Sequence, residues 1–349
     1  MMLGISVYLS DVDYEYLKYA ASLGVRFIFT SLHIPEEDLS DLKVVLPQFL
    51  ETCESLEMEI IPDISPYTFE KLELENNDFL GLKNKGFSMV RLDYGFEDVS
   101  LVKEISKYFR IILNASLVDA SYIEDLINID FNLNNIHLMH NFYPRQDTGL
   151  DDNYFRKLND VHQKYGLETS AFVVGDRKKR LPLFEGLPTL ERHRYTNPYV
   201  AGVELLKNHG IDMIFIGDNQ AKYTTLQFLS EFIEKGVVTL PAYLNQPYTS
   251  LYDKIIEIRQ DTTKSLVRLK LDRKPNIPQL ENNHRNVGSI VMDNKIAGRY
   301  SGEVQLVVET MPFTSRSNNI GWVHPDYIDL LKYLDNSIKI KFVEIASVS

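Results

Sequence analysis

The sequence predicts an α/β protein: a closed (β/α)8 barrel followed by a smaller, mostly β domain. Three observations predict it. Eight short apolar runs recur along the first two thirds of the chain with helical patterns between them. The runs are nearly continuous in hydrophobicity, as parallel strands covered by helices on the outside require, rather than alternating as strands with one wet face do. Beyond about residue 236 the alternation stops, and short segments bounded by Pro, Asn and Gly take over.

In chain order the strand candidates are LGISVYL (3–9), VRFIFTSL (25–32), MEIIPDI (58–64), SMVRLDY (88–94), RIILNAS (110–116), NIHLMHN (135–141), ETSAFVV (168–174) and DMIFIGD (212–218). The first helix, in VDYEYLKYAASLG, opens on Ser10 with Asp13 and closes at Gly24; TNPYVAGVELLKNHG starts with Thr196 and Asn197 before Pro198 and stops at Gly210. AKYTTLQFLSEFIEKG (221–236) is the eighth helix. After it, SIVMDNKIAGRYSGEVQLVVET and SIKIKFVEI read as strands. The expected domains are 1–238 and 239–349, with Pro241 to Pro247 marking the change.

With 349 residues, 44% of them hydrophobic, the chain has material for both cores. The single cysteine, Cys53, excludes an intrachain disulfide framework and a thiolate metal cluster. A net charge of -12 argues against a nucleic-acid partner but leaves room for a compact anion at a local basic group such as DRKKR (176–180). The N-terminus lacks a basic leader with an apolar core, and no run of about 18 apolar residues occurs, so a cytoplasmic protein without a membrane partner is expected.

In such a barrel the reacting groups collect at the C-terminal ends of the strands. Those ends carry Ser6 and Tyr8; Ser31 and His33; Asp63; Arg91 and Asp93; Asn114 and Ser116; His140, Asn141, Tyr143 and Arg145; Asp176 and Arg177; and Asp218. HNFYPRQDTGL (140–150) is the densest, with more polar groups than a turn needs. The seventh connection is about twenty residues long where a few are usual, and it carries Glu185, Arg192 and the cluster Arg177, Lys178, Lys179 and Arg180. Guanidinium groups there suit a phosphorylated ligand.

Each candidate also has a structural reading. Asp63 and Asp218 suit helix caps, Arg91 and Asp93 suit a buried ion pair, and the basic run suits a solvated surface. Glycoside hydrolysis needs two carboxyl groups flanking one bond, or one carboxyl that orients a 2-acetamido nucleophile and another that acts as acid. Asp63, Asp93, Glu185 and Asp218 are the carboxyls available. Two rival classes use the same ring: a metal-dependent sugar-phosphate isomerase or aldolase through His33 and His140, and a non-catalytic phospho-sugar-binding protein.

GISVYLS, FTSLHIPEE, HNFYPRQDTGL, LFEGLPTLERHR and DNKIAGRYSGEVQL together resemble the 6-phospho-N-acetylmuramidase family over nearly the whole chain. The resemblance implies a TIM barrel followed by a cyclophilin-like β domain. It also implies hydrolysis of the β-1,4 bond of N-acetylmuramic acid 6-phosphate–N-acetylglucosamine during cytoplasmic recycling of cell-wall sugars; we expect that reaction to use no cofactor or metal. It carries no catalytic assignment. By position, Asp93 and Glu185 lead for the two essential carboxyls, ahead of Asp63 and Asp218. Tyr8, His33, Arg91, Asn114, His140, Asn141, Tyr143, Arg145, Arg177 and Arg192 are the expected contacts to the phosphorylated disaccharide.

Overall fold

Eight parallel strands close in sequence order: β1 (Met2–Ser6), β2 (Phe27–Ser31), β3 (Glu59–Ile64), β4 (Met89–Leu92), β5 (Arg110–Asn114), β6 (Ile136–Met139), β7 (Thr169–Val173) and β8 (Met213–Ile216), with β8 pairing back onto β1. Seven lie within their expected runs, and β1 starts one residue before its own. The computed structural model describes residues 1–32, 42–261 and 263–347. The chain divides into two units, Met1–Leu226 and Gln227–Ser349.

Strand alternation sends one set of side chains into the barrel. Phe29, Ile61, Met89, Ile112, Met139, Phe172, Met213 and Phe215 fill its centre, so the lumen is packed core. Gly4 faces this core because the Phe215 ring takes its side-chain space: a Cβ there would stand 2.2 Å from a ring carbon. Phe142, just past β6, meets Phe29 and Phe172 edge-on at centroid distances of 5.7 and 5.1 Å. It roofs the apolar core and floors the mouth.

The helices of this unit and its boundary are α1 (Tyr14–Ser22), α2 (Leu42–Ser55), α3 (Pro66–Lys71), α4 (Phe79–Asn84), α5 (Val99–Ile105), α6 (Ala120–Asn128), α7 (Asp152–Lys164), α8 (Pro198–Asn208) and α9 (Tyr223–Lys235). Their starts follow local chemistry. Asp13 alone caps α1, accepting from the N–H groups of Glu15 and Tyr16, while Leu9–Asp11 forms a separate turn. Asn197 caps α8 with Pro198 in its first turn.

In the second unit β9 (Val237–Leu244), β10 (Ile255–Glu257), β11 (Leu266–Arg268), β12 (Ser289–Asp293), β13 (Val304–Val307), β14 (Ser317–Val323) and β15 (Lys339–Glu344) form one sheet in the order β10-β15-β9-β14-β12-β13-β11. Only the β9 and β15 pair is parallel. Pro241, taken from sequence as part of a connection, sits inside β9, where its carbonyl still accepts the His324 N–H at 2.8 Å.

Candidate active site

Above the Phe and Met layer, inward parity is held by Ser6, Ser31, Asp63, Arg91, Asn114 and Asn141, all at strand ends. Register aligns Ser31 with Asp63 and Asp63 with Arg91, so three neighbouring strands present a hydroxyl, a carboxylate and a guanidinium side by side. Arg91 is 1% exposed and Asp63 6%. The Arg91 Nη1 donates to Asp63 Oδ1 at 2.6 Å, and its Nη2 reaches Asn141 Oδ1 at 3.1 Å. Asp93 Oδ1 is 3.9 Å from the same Nη1. Both carboxylates thus lie within ion-pair range of Arg91, Asp63 much the closer. Arg91 pairs across the strands with Asp63, while Asp93, two residues further up β4, keeps 28% of its side chain open to solvent. Asp63 is therefore committed to an ion pair rather than free as an acid. Among the described residues the Ser6 and Ser31 hydroxyls and the Arg91 Nε are buried without a hydrogen-bond partner.

A chain of hydrogen bonds supports Asn141 from behind. The Asn141 N–H donates to Ser116 Oγ at 3.0 Å; Ser116 Oγ lies 3.3 Å from His140 Nδ1, and His140 Nε2 lies 3.0 Å from Asn159 Oδ1 on α7. An amide oxygen at Nε2 places the ring proton there and leaves Nδ1 to accept from the Ser116 hydroxyl. Burial pushes His140 down to about 3, so it stays neutral at ordinary pH. His140 was expected to touch ligand. Instead it is sealed between β6 and α7, its ring 4.5 Å from that of Phe155. His33 lies outside the described residues. Burial raises the Tyr143 phenol above its ordinary value.

The loops after β6 and β7 are stapled by two residues that sequence reading passed over. Arg194, almost fully buried, donates to both carboxylate oxygens of Glu191 and to the carbonyls of Gly186, Tyr143 and Arg145. Glu191 accepts the N–H groups of Asp147 and Gly149 at 3.0 and 2.7 Å; its bonds to Arg194 foremost, then those amides, hold its carboxyl down at about 2. A Cβ on Gly149 would stand 2.7 Å from the Glu191 backbone, so only glycine admits this approach. The polar density of residues 140–150 thus has two sources: a backbone satisfied from the next loop, and side chains left for the mouth. Arg145 is exposed. Glu185, half-buried, accepts the Gln146 N–H at 2.6 Å and bridges the same two loops. The spacing of Glu191 and Arg194 in LERHR was the available signal.

Four further candidates are engaged within the fold. Asp218 is 0% exposed and accepts N–H groups from Gly175, Arg180 and Leu187; burial raises its pKa, and it ties down the seventh connection instead of facing the opening. Arg192 is bound to Glu204 and, at 2.7 Å, to Asp152, with His193 and His209 on the same carboxylate. Arg177 lies over the Tyr223 ring at 4.5 Å. Tyr8 donates its hydroxyl to the Gly217 carbonyl at 2.7 Å, so its phenol is already engaged. In each case a partner far along the chain uses the group.

A cavity of about 290 Å³ opens at the ends of β4 and β5, lined by Asp93, Tyr94, Phe96, Glu97, Asn114 and Leu117 among others. Asp93 and Glu185 are the two candidate carboxyls that remain partly open to solvent. Among the described residues no cluster of three or more His, Cys, Asp or Glu side chains is arranged to hold a metal ion. No helix there is long and apolar enough to cross a membrane.

Residues 3–231 match the family model described as 6-phospho-N-acetylmuramidase, N-terminal, and residues 238–343 match its C-terminal counterpart. Among solved structures, a conserved Enterococcus faecalis protein of unknown function is 27% identical with a TM-score of 0.88, over 100% of this chain and 98% of its own. An uncharacterised B. cereus protein is 25% identical with a TM-score of 0.78, over 98% and 99%. No curated protein matches the chain.

Proposed function

The chain belongs to the 6-phospho-N-acetylmuramidase family and is a glycosidase, and from that premise we propose that it hydrolyses the β-1,4 bond of N-acetylmuramic acid 6-phosphate–N-acetylglucosamine. The products are the phosphorylated muramic acid and N-acetylglucosamine, and the setting is cytoplasmic recycling of cell-wall sugars. Asp93 carries the reading: it is a carboxyl at the barrel mouth, open to solvent, 3.9 Å from a buried guanidinium that is already neutralised by Asp63. Such a group stands beside fixed charge and within reach of a substrate from the solvent side.

Asp93 and Glu185 supply the two carboxyls that acid-assisted cleavage requires, one protonating the leaving oxygen and the other acting as nucleophile, as base for water, or as the group that orients the 2-acetamido oxygen. Asn114, Asn141, Tyr143 and Arg145 bind sugar hydroxyls and the anionic substituents. The chemistry uses no metal. Incubation of the protein with the phospho-disaccharide and mass analysis of the mixture tests the reaction. The two product masses support it; intact disaccharide in the presence of folded protein overturns it, and tight binding without turnover would identify a sugar-binding protein instead.

A further inference from the structure

Of the basic residues in DRKKR, the fold buries one. Arg180 is 8% exposed, and its guanidinium carbon stands 4.4 Å from the centroid of the buried Tyr8 ring, which the bond to Gly217 holds in place. Its backbone N–H is fixed by Asp218 Oδ1 at 3.0 Å. Its neighbours are accounted for: Arg177 lies on Tyr223, Lys178 is 2.5 Å from Asp11 Oδ2, and Lys179 is 3.9 Å from Asp218 Oδ2. Arg180 forms no ion pair with any described residue. It lines a cavity of about 230 Å³ at the ends of β1, β7 and β8, together with Tyr8, Lys178, Lys179, Phe184 and Asn219. Asp11, the carboxylate of that lining, is taken up by Lys178 and by the Asn219 amide at 2.8 Å.

Burying a guanidinium without a counter-charge is unfavourable, and an anionic ligand supplies the missing charge. A planar fork lying over an aromatic ring matches the oxygens of a phosphate, and the Lys179 ammonium on the same wall, held only loosely at 3.9 Å from Asp218, adds the second positive charge that suits a dianion better than a carboxylate. The loops after strands seven and eight are also where barrels of this type commonly seat phosphate. We propose that this cavity is the subsite for the phosphate monoester of the substrate, with Arg180 as its bidentate ligand and Lys179 as its second cation. The inference rests on the glycosidase reading above and adds to it the place where the phosphate is read.

The test compares the wild type with R180Q, R180K and K179Q on three substrates: the phosphorylated disaccharide, the same disaccharide without phosphate, and a 6-phosphorylated analogue lacking the lactyl carboxylate. R180Q is expected to lower kcat/KM on both phosphorylated substrates by roughly 10²-fold, mainly through KM, and to leave the unphosphorylated one unchanged. R180K and K179Q fall between, and guard against a folding defect in R180Q. Equal losses on all three substrates would assign Arg180 a structural role, and a defect that vanishes on the analogue would assign it to the lactyl carboxylate; either overturns the proposal. If the wild type cleaves none of them, the reaction assignment fails by itself. Calorimetric binding of inorganic phosphate, present in the wild type and lost in R180Q, then decides the subsite independently, and equal binding by both proteins refutes it.

Discussion

Arg91 and Asp63 meet at 2.6 Å across neighbouring strands, beneath the mouth of the barrel and almost out of reach of solvent. The pair levels two strand ends and extends to Asn141, so it organises the floor on which Asp93 stands. Removing one member strands the other as a buried charge. R91M is expected to cost about 3–5 kcal/mol of stability, and the double change R91M with D63L to regain most of it, because an apolar pair of similar volume carries no such penalty. Urea unfolding measures both; a double variant as unstable as the single one would refute the account.

Asp93 and Glu185 are both partly open to solvent, and the Arg91 that Asp93 approaches at 3.9 Å is already held by Asp63 at 2.6 Å, so their loss is predicted to be chemical rather than structural. D93N and E185Q should each lower kcat by about 10²–10⁴-fold while the unfolding midpoint stays within error. Full turnover by both variants removes the assignment.

His140, pushed down to about 3 by burial, and His137, pushed down to about 4 by burial and then by Arg110, give stability a defined pH dependence. Both folded values lie below the ordinary histidine value of about 6.5, so the unfolded chain takes up protons first. Their contribution is complete above that value and is lost as pH falls towards 4 and then 3. Each group adds a slope of about 1.4 kcal/mol per pH unit in its window. H140Q should therefore flatten the stability profile between pH 6 and pH 4 by one proton's worth. An unchanged slope, read from urea unfolding at stepped pH, would contradict the buried neutral imidazole.

Arg194 holds the carbonyls of Gly186, Tyr143 and Arg145 while paired to Glu191, so both loops depend on it. R194K cannot reproduce five donors in a fixed fork. Activity is expected to fall roughly 10²-fold through misplacement of Glu185 and Tyr143, and the segment 143–150 should become sensitive to limited proteolysis. Wild-type kcat/KM and proteolysis patterns in R194K would show that the staple is dispensable.

The proposed chemistry is carried by carboxyl groups, and the rival isomerase or aldolase reading depends on His33, which lies outside the described residues, and on His140, which is turned to α7 and occupied by Ser116 and Asn159. Exhaustive chelation should leave cleavage of the phospho-disaccharide intact. Loss of activity on chelation, restored by one divalent cation, would favour the rival.

The eight strands were legible because a parallel strand covered by helices is apolar on both faces, and that demand is written locally in runs such as DMIFIGD. Asp13, Asn197 and Pro198 were legible for the same reason: a cap acts on amides two or three residues away. Pro241 falls inside β9, where it lacks an N–H to donate but keeps its carbonyl bond to His324.

Among the site residues, sequence alone determined that every strand would end in polar groups and that the sixth and seventh connections would be the most heavily furnished. Tertiary structure decided what each group is for. Asp63 and Arg91 are 28 residues apart and Arg180 and Asp218 are 38 apart, yet they touch. Pairing and burial depend on distances through space that no local pattern encodes, and in a poorly polarisable interior those distances decide whether a charge is spent on the scaffold, like Asp218 and Arg192, or left, like Arg180, to meet something from outside.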